Sequence, residues 1–125
     1  MAVRVGQRGT IELEVAEADT AIAQRSGSLP VLATPRVVAL VEEASVVAVG
    51  DSLDGGHTTV GMKVQLDHLA PTALGRTVVA ESTVEAVNGR RISFQVSVSD
   101  DRGLVAVGRV TRVVVEIDRF LTKAG

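Results

Sequence analysis

Two adjacent carboxylates are the first residues in this sequence that raise a question of chemistry. Glu42 and Glu43 lie within "TPRVVALVEEAS", residues 34–45, a segment that otherwise consists mostly of valine, alanine and leucine. Burial of an unpaired carboxylate is costly. An inward-facing glutamate in this segment therefore needs either a partner or a function.

The same segment predicts a helix with defined ends. Thr34 is expected as the N-cap and Pro35 as the first helical residue, where the missing N–H of proline costs nothing. Gly50 is expected to end the helix. Because few residues between these ends are charged, we expect a helix that is apolar nearly all the way round and buried.

Helical geometry gives the two glutamates different neighbours. At about 100° per residue, Glu42 falls on the same side as the hydroxyls of Thr34 and Ser45. Glu43 falls on the opposite side with Arg36, so a partly solvated ion pair is expected there. Glu42 is thus the carboxylate that needs an explanation, although a structural hydrogen bond to a hydroxyl would be sufficient.

Of the two histidines, one is a candidate for catalysis. His57 lies in the glycine-rich turn "DGGHTT" and is expected to be solvated. His68 continues the two-residue period of the apolar positions from Val60 to Leu66, so we expect it on the core-facing side at a strand end. The unperturbed pKa of histidine suits a general base near neutral pH. A satisfied strand-end histidine is the alternative.

The elements that must position these residues follow from the sequence pattern. Residues 8–15 alternate as a strand, a short helix is possible near 18–25, and a loop follows. After residue 57 the period changes to two, and Asn88-Gly89 predicts a hairpin with a type I′ turn. The later strands are expected at 76–87, 90–99 and 104–117, with a bulge possible at Gly108.

This order predicts an α+β protein in which an antiparallel β-sheet wraps around one long central α-helix. At 125 residues, with 46% apolar residues, the chain is expected to form a single domain over 1–125. Cysteine is absent, so thiolate metal sites are excluded and no metal site is expected.

Composition also limits the class of function. A net charge of −2 and only two aromatic residues argue against a nucleic-acid surface. No apolar run suggests a secretory signal or a membrane span, so no membrane partner and a cytoplasmic location are expected.

Four segments carry a resemblance to a known family. They are "ATPRVVALVEEAS", "VGMKVQLDHLAPTALGRTV", "VNGRRISFQVSVSD" and "RFLTK". Together they resemble the hot-dog-fold thioesterases of the fluoroacetyl-CoA thioesterase type, over about residues 4–122. The resemblance implies a hot-dog fold and a homodimer in which each active site lies between the central helix of one subunit and the strands of the other.

The resemblance also implies a catalytic group. In the family a threonine, a glutamate eight residues later and a histidine twenty-six residues after the glutamate act together. These positions are Thr34, Glu42 and His68 here. Gly61 corresponds to a glycine near the acyl group and Arg112 to an arginine near the site. For Arg112, pairing with a carboxylate for structural reasons is an equally good interpretation.

One segment departs from the family pattern. The fluoroacetyl enzyme closes its pocket with phenylalanines before the catalytic threonine, whereas the segment "AQRSGSLPVLA" has no aromatic residue. We therefore expect poor discrimination between fluoroacetyl and acetyl groups, and room for somewhat larger acyl chains.

The implied function is hydrolysis of a short or medium acyl-CoA to a free acid and coenzyme A. Coenzyme A is then part of the substrate and no separate cofactor is expected. His68 is the natural general base, Glu42 orients the imidazole or itself attacks or activates water, and Thr34 is nucleophile, water-positioner or hydrogen-bond donor. The alternatives are a non-catalytic module that binds an acyl thioester or small acid, and a hot-dog hydratase or dehydratase.

Overall fold

A computed structural model describes residues 2–125 and shows one antiparallel sheet curled around one long helix. The strands lie in the spatial order β1-β3-β4-β5-β2, and a second, short helix follows the last strand. The elements are β1 (Arg8–Glu14), α1 (Thr34–Val49), β2 (His57–His68), β3 (Thr77–Asn88), β4 (Arg91–Asp100), β5 (Gly103–Glu116) and α2 (Ile117–Ala124). The predicted α+β class and the wrapped sheet are confirmed.

The core lies between α1 and the concave face of the sheet. Alternate residues of β3, β4 and β5 point toward the helix and are fully buried, with Phe94 as the largest. On the helix, the buried apolar side chains follow the three-to-four-residue spacing of one face, from Val37 through Leu40, Val41 and Ala44 to Ala48. This single face anchors the helix on the sheet.

The expectation that α1 is buried all round is wrong. Val46 and Val47 are 41% and 52% exposed, and Glu43 is also exposed. Five strands cover only one side of the helix. Some apolar residues of α1 therefore stay exposed in a single chain.

A β-bulge in β2 changes which side chains face the helix. Gly61 pairs with Arg112 and Lys63 pairs with Thr111, so Met62 is an extra residue in the strand. An inserted residue moves all following side chains to the other face. The predicted common core face is therefore right from Val64 onward. It is wrong for Val60, which lines an outer cavity with Met62, and for Met62, which is 49% exposed.

Two predicted turn features are also corrected. The hairpin between β3 and β4 forms, but its loop residues are Gly89 and Arg90, because Asn88 already pairs with Arg91. Only Gly89 has a positive φ, of 59°, so the turn is not type I′. The bulge that the sequence allowed at Gly108 does not form, and that glycine instead allows close approach of the Gln65 backbone.

The segments at 18–25 and beyond 116 also differ from expectation. A 3-10 turn at Glu17–Asp19 is followed by turns in place of a helix. The last strand ends at Glu116, and α2 follows it. The apolar residues Ile117, Phe120, Leu121 and Ala124 have the spacing of an amphipathic helix, so the sequence did contain the signal for α2.

Gly9 allows β1 to pack tightly against α1. A Cβ at this position would lie 2.6 Å from the backbone nitrogen of Ala48 and even closer to the carbonyl oxygen of Ala44. The obstruction is helix backbone, which cannot rotate away. We expect Gly9→Ala to lower the free energy of unfolding by about 1–3 kcal/mol, measured by urea denaturation. Gly50→Ala is the control: it has a right-handed helical conformation and open space, so a loss there of similar size would contradict this reason.

Candidate functional site

Thr34 and His68 form the first half of the candidate site. The hydroxyl oxygen of Thr34, at the start of α1, lies 2.8 Å from Nδ1 of His68, at the end of β2. Nε2 of His68 is buried and has no hydrogen-bond partner among residues 2–125. The contact with Thr34 is thus the one side-chain hydrogen bond that holds the ring among residues 2–125.

Thr34 is not the N-cap that the sequence predicted. Ala33 occupies that position in an extended conformation, Thr34 is the first helical residue, and Pro35 follows it. A threonine side chain at the cap would turn back onto the helix backbone. Because the cap is shifted by one residue to Ala33, the Thr34 hydroxyl is free to reach the His68 imidazole.

The surroundings of His68 favour its neutral form. Burial lowers the pKa of His68 below the ordinary value of 6.5, and the interaction with the nearby backbone of Ala70 opposes this effect only in part. Desolvation disfavours the charged imidazolium. Near neutral pH the ring is therefore able to accept a proton.

Glu42 belongs to a second cluster, centred on Arg112. Nη1 of Arg112 donates to Oε2 of Glu42 at 2.7 Å, while its Nε and Nη2 donate to the hydroxyl and the backbone carbonyl of Thr59 at 2.9 and 2.8 Å. The Arg112 side chain is 9% exposed and that of Glu42 is 30% exposed. Burial lowers the pKa of Arg112, and the carboxylate of Glu42 opposes the shift.

Gly61 completes the second cluster. A Cβ at Gly61 would overlap Oε2 of Glu42 and would lie 3.5 Å from Nη1 of Arg112. The missing side chain leaves the space that the carboxylate occupies. Of this cluster, the sequence indicated Glu42, Gly61 and Arg112, whereas Thr59 gave no signal.

The two clusters are separate within one chain. Thr34 and Glu42 are eight residues apart on α1, or about 12 Å along the helix axis. Glu42 hydrogen-bonds to Arg112 and makes no hydrogen bond to His68 among the described residues. The structure therefore places all five sequence-predicted residues on the helix-facing side of the sheet, but in two groups.

The neighbours expected for the glutamates are also corrected. Ser45 faces the sheet, where its hydroxyl contacts the Val41 carbonyl and the Ser82 hydroxyl. It is therefore not a partner of Glu42. Arg36 pairs with Asp19, with 2.8 Å between Nε and Oδ1, and not with Glu43.

A cavity of about 480 Å³ adjoins the Thr34–His68 pair. One wall is the loop segment Ser26–Leu29 and another is the chain from His68 to Pro71. The loop wall contains small and aliphatic side chains and no aromatic ring. Such a pocket accepts a small apolar group beside the hydroxyl and the imidazole.

The pKa of His68 provides a test of this local geometry. We expect the imidazole to titrate below 6.5 in the folded protein, because burial outweighs the interaction with Ala70. The measurement is an NMR titration of the ring C–H signals, with His57→Ala to assign them, since His57 is exposed. A midpoint at or above 6.5 would show that a nearby carboxylate dominates over burial.

The curled five-stranded sheet, with one long helix against its concave face, defines a hot-dog-fold protein. A hot-dog-like protein from Thermanaerovibrio acidaminovorans superimposes with a TM-score of 0.88 at 29% identity, covering 96% of this chain and 89% of that one.

The family follows from sequence as well as structure. The family described as "Fluoroacetyl-CoA-specific thioesterase" matches residues 15–118. The fluoroacetyl-CoA thioesterase of Streptantibioticus cattleyicolor is 33% identical over 93 residues, which are 74% of this chain and 67% of that protein. The chain therefore belongs to the fluoroacetyl-CoA-specific thioesterase family and is a thioester hydrolase.

A solved structure extends this similarity over the whole fold. A threonine-to-serine variant of the fluoroacetyl-CoA enzyme, in complex with acetyl-CoA, superimposes with a TM-score of 0.92 at 30% identity. The match covers 98% of this chain and 96% of that one.

Among residues 2–125, no helix is long and apolar enough to cross a membrane.

Proposed function

We propose that this protein hydrolyses short or medium acyl-CoA thioesters to a free acid and coenzyme A, with Thr34, Glu42 and His68 as the catalytic group. The observation that carries the proposal is the 2.8 Å contact between the Thr34 hydroxyl and Nδ1 of His68, beside a cavity of acyl size. The complex of a related enzyme with acetyl-CoA supports the substrate class.

Thioester hydrolysis needs an attacking oxygen, a base and a group that stabilises the oxyanion. His68, held neutral by burial, accepts the proton of the Thr34 hydroxyl or of a water that this hydroxyl positions. The first-turn N–H groups of α1, at Thr34 and Arg36, have no helical acceptor and lie at the positive end of the helix dipole. They are suited to stabilise the oxyanion.

Glu42 enters the reaction as a carboxylate that Arg112 holds in place. An ion pair fixed by two further hydrogen bonds from Arg112 to Thr59 keeps the carboxylate oriented. Its free oxygen is then available to activate water or to attack the thioester.

The separation of the two clusters favours a homodimer. Strand β2 is an edge strand, and edge strands are ready to pair with another chain. If β2 pairs antiparallel with its copy about a two-fold axis near Val64, His68 of one subunit lies opposite Gly61 of the other. Each complete site then combines Thr34 and His68 of one subunit with Glu42 and Arg112 of its partner.

The cavity wall defines the acyl range. Ser26, Gly27 and Ser28 supply little volume and no aromatic surface. A pocket bounded by such residues discriminates weakly between acyl groups that differ by one small substituent. Acyl chains longer than acetyl are therefore expected substrates, and fluorinated and plain acetyl groups are expected to react at similar rates.

The contrast between the two adjacent glutamates tests the catalytic assignment. Thiol release from a series of acyl-CoAs, including acetyl-CoA and fluoroacetyl-CoA, is measured for Glu42→Gln and for Glu43→Gln. We expect Glu42→Gln to lower kcat by at least about 100-fold, because a charge that acts in the transition state is lost. Glu43 is exposed, so its variant is expected to keep nearly full activity.

Melting temperatures separate catalysis from stability in this experiment. Glu42→Gln also leaves Arg112 without a charged partner, but the amide oxygen still accepts a hydrogen bond, so the fold should persist. Equal activity of the two variants, or greater sensitivity at Glu43, would refute the assignment. Binding of acyl-CoA without thiol release by the unmodified protein would instead indicate a binding module.

Mixing two inactive variants tests the shared site. His68→Ala and Glu42→Gln subunits, unfolded together and refolded, form heterodimers in which one site receives both intact residues and the other receives neither. With random pairing, we expect thiol release to recover to about a quarter of the unmodified rate. If each site lies within one subunit, every heterodimer site carries one defect and no recovery follows. The dimer itself is tested by light scattering of the unmodified protein, which should give twice the mass of one chain.

A further inference from the structure

A large cavity lies outside both clusters. It is a groove of about 670 Å³ between α2 and the strands β2 and β5. Its floor is apolar and includes Val60, Met62, Val113 and Val115. Phe120 of α2 lines one side and is 39% exposed. We call this cavity the α2 groove.

The rim of the α2 groove is strongly basic. Arg90, Arg119 and Lys123 line it together with His57, against the single carboxylate of Glu116. None of the three cations forms an ion pair with another residue between 2 and 125. Since the chain as a whole carries a net charge of −2, this local excess of positive charge creates an anion-attracting surface.

The aromatic residue in the groove adds a second feature. The chain has only two phenylalanines, and Phe94 is fully buried in the core. Phe120 is thus the one aromatic ring that a ligand can reach. An exposed ring beside cationic side chains suits a purine that carries phosphate groups.

The groove and the second catalytic cluster lie on opposite faces of β2 and share Gly61. Gly61 lines the groove, and the carboxylate of Glu42 lies against the helix-facing side of the same glycine. The bulge at Met62 turns that side chain outward, where it forms part of the groove floor. A ligand in the groove therefore lies across β2 from Glu42.

We propose that the α2 groove binds the phosphate-bearing adenosine end of the coenzyme A carrier. This inference rests on the proposed function, because only a CoA thioester links such an anionic nucleotide to the acyl group. Phe120 stacks on the adenine, Arg119 and Lys123 contact the phosphates, and Arg90 closes the opposite rim. The groove thereby contributes to substrate affinity and takes no part in bond cleavage.

Kinetics with two carriers of the same acyl group test the proposal. Acetyl-CoA is compared with S-acetyl-N-acetylcysteamine, which lacks the nucleotide, for the double variant Arg119→Glu and Lys123→Glu. We expect KM for acetyl-CoA to rise about tenfold with kcat little changed, because two attractive charges become repulsive. KM for the nucleotide-free thioester should not change. Raising the salt concentration should increase KM for acetyl-CoA in the unmodified protein more than in the variant.

A matched control and a binding measurement complete the test. Arg102→Glu makes the same charge change at an exposed position at the opposite end of β5 and should leave KM unchanged. Calorimetry with adenosine 3′,5′-bisphosphate should detect binding that the double variant loses. This measurement needs no turnover, so it separates failure of the groove from failure of the proposed hydrolysis.

Three results would overturn the inference. One is an equal change in KM for both thioesters. Another is an effect of Arg102→Glu as large as that of the double variant. The third is dissociation of a dimer by the groove variants in sedimentation, which would show that the groove is covered by a second copy of the chain. Two controls test whether the rise in KM results from unfolding of α2. Circular dichroism measures the helix content of the variants, and the milder changes Arg119→Gln and Lys123→Gln remove the charges without adding repulsion.

Discussion

The single extra residue in β2 is the constraint on which the site depends. In a regular strand Gly61 and His68 would point to opposite faces, since seven residues separate them and side chains alternate. The insertion of Met62 restores both to the helix side. Without this bulge, either the space for the Glu42 carboxylate or the imidazole beside Thr34 would be lost. Bulges commonly redirect side chains next to active sites.

The ion pair between Glu42 and Arg112 is the second constraint, and it is electrostatic. A guanidinium that is 9% exposed has lost most of its hydration, so each of its three nitrogens needs a hydrogen-bond partner. Thr59 and Glu42 supply them. Such an arrangement contributes little net stability, but it fixes the position of the carboxylate. A carboxylate used in chemistry gains more from that fixed position than from added stability.

Helix α1 separates the site into halves because of its length. Two turns lie between Thr34 and Glu42, and the sheet curls so that each residue meets a different end of β2. The exposed apolar surface at Val46 and Val47 and the unpaired edge of β2 show that one chain leaves interaction surfaces open. The proposed homodimer follows from these features together, since it covers an edge strand and unites the two clusters.

The sequence by itself indicated the class of fold and the helix near Thr34, because periodicity and turn residues are local properties. The family resemblance proposed Thr34, Glu42, Gly61, His68 and Arg112 as site residues. Only the tertiary structure decided which of them meet. The one-residue shift of the helix cap to Ala33 frees the Thr34 hydroxyl, and the pairing of Arg36 with Asp19 depends on a loop of irregular conformation. The bulge at Met62 forms where β2 pairs with β5, and it changes the face of the strand to which the following side chains point. Each of these results from contacts between segments distant in the chain, which no local pattern records.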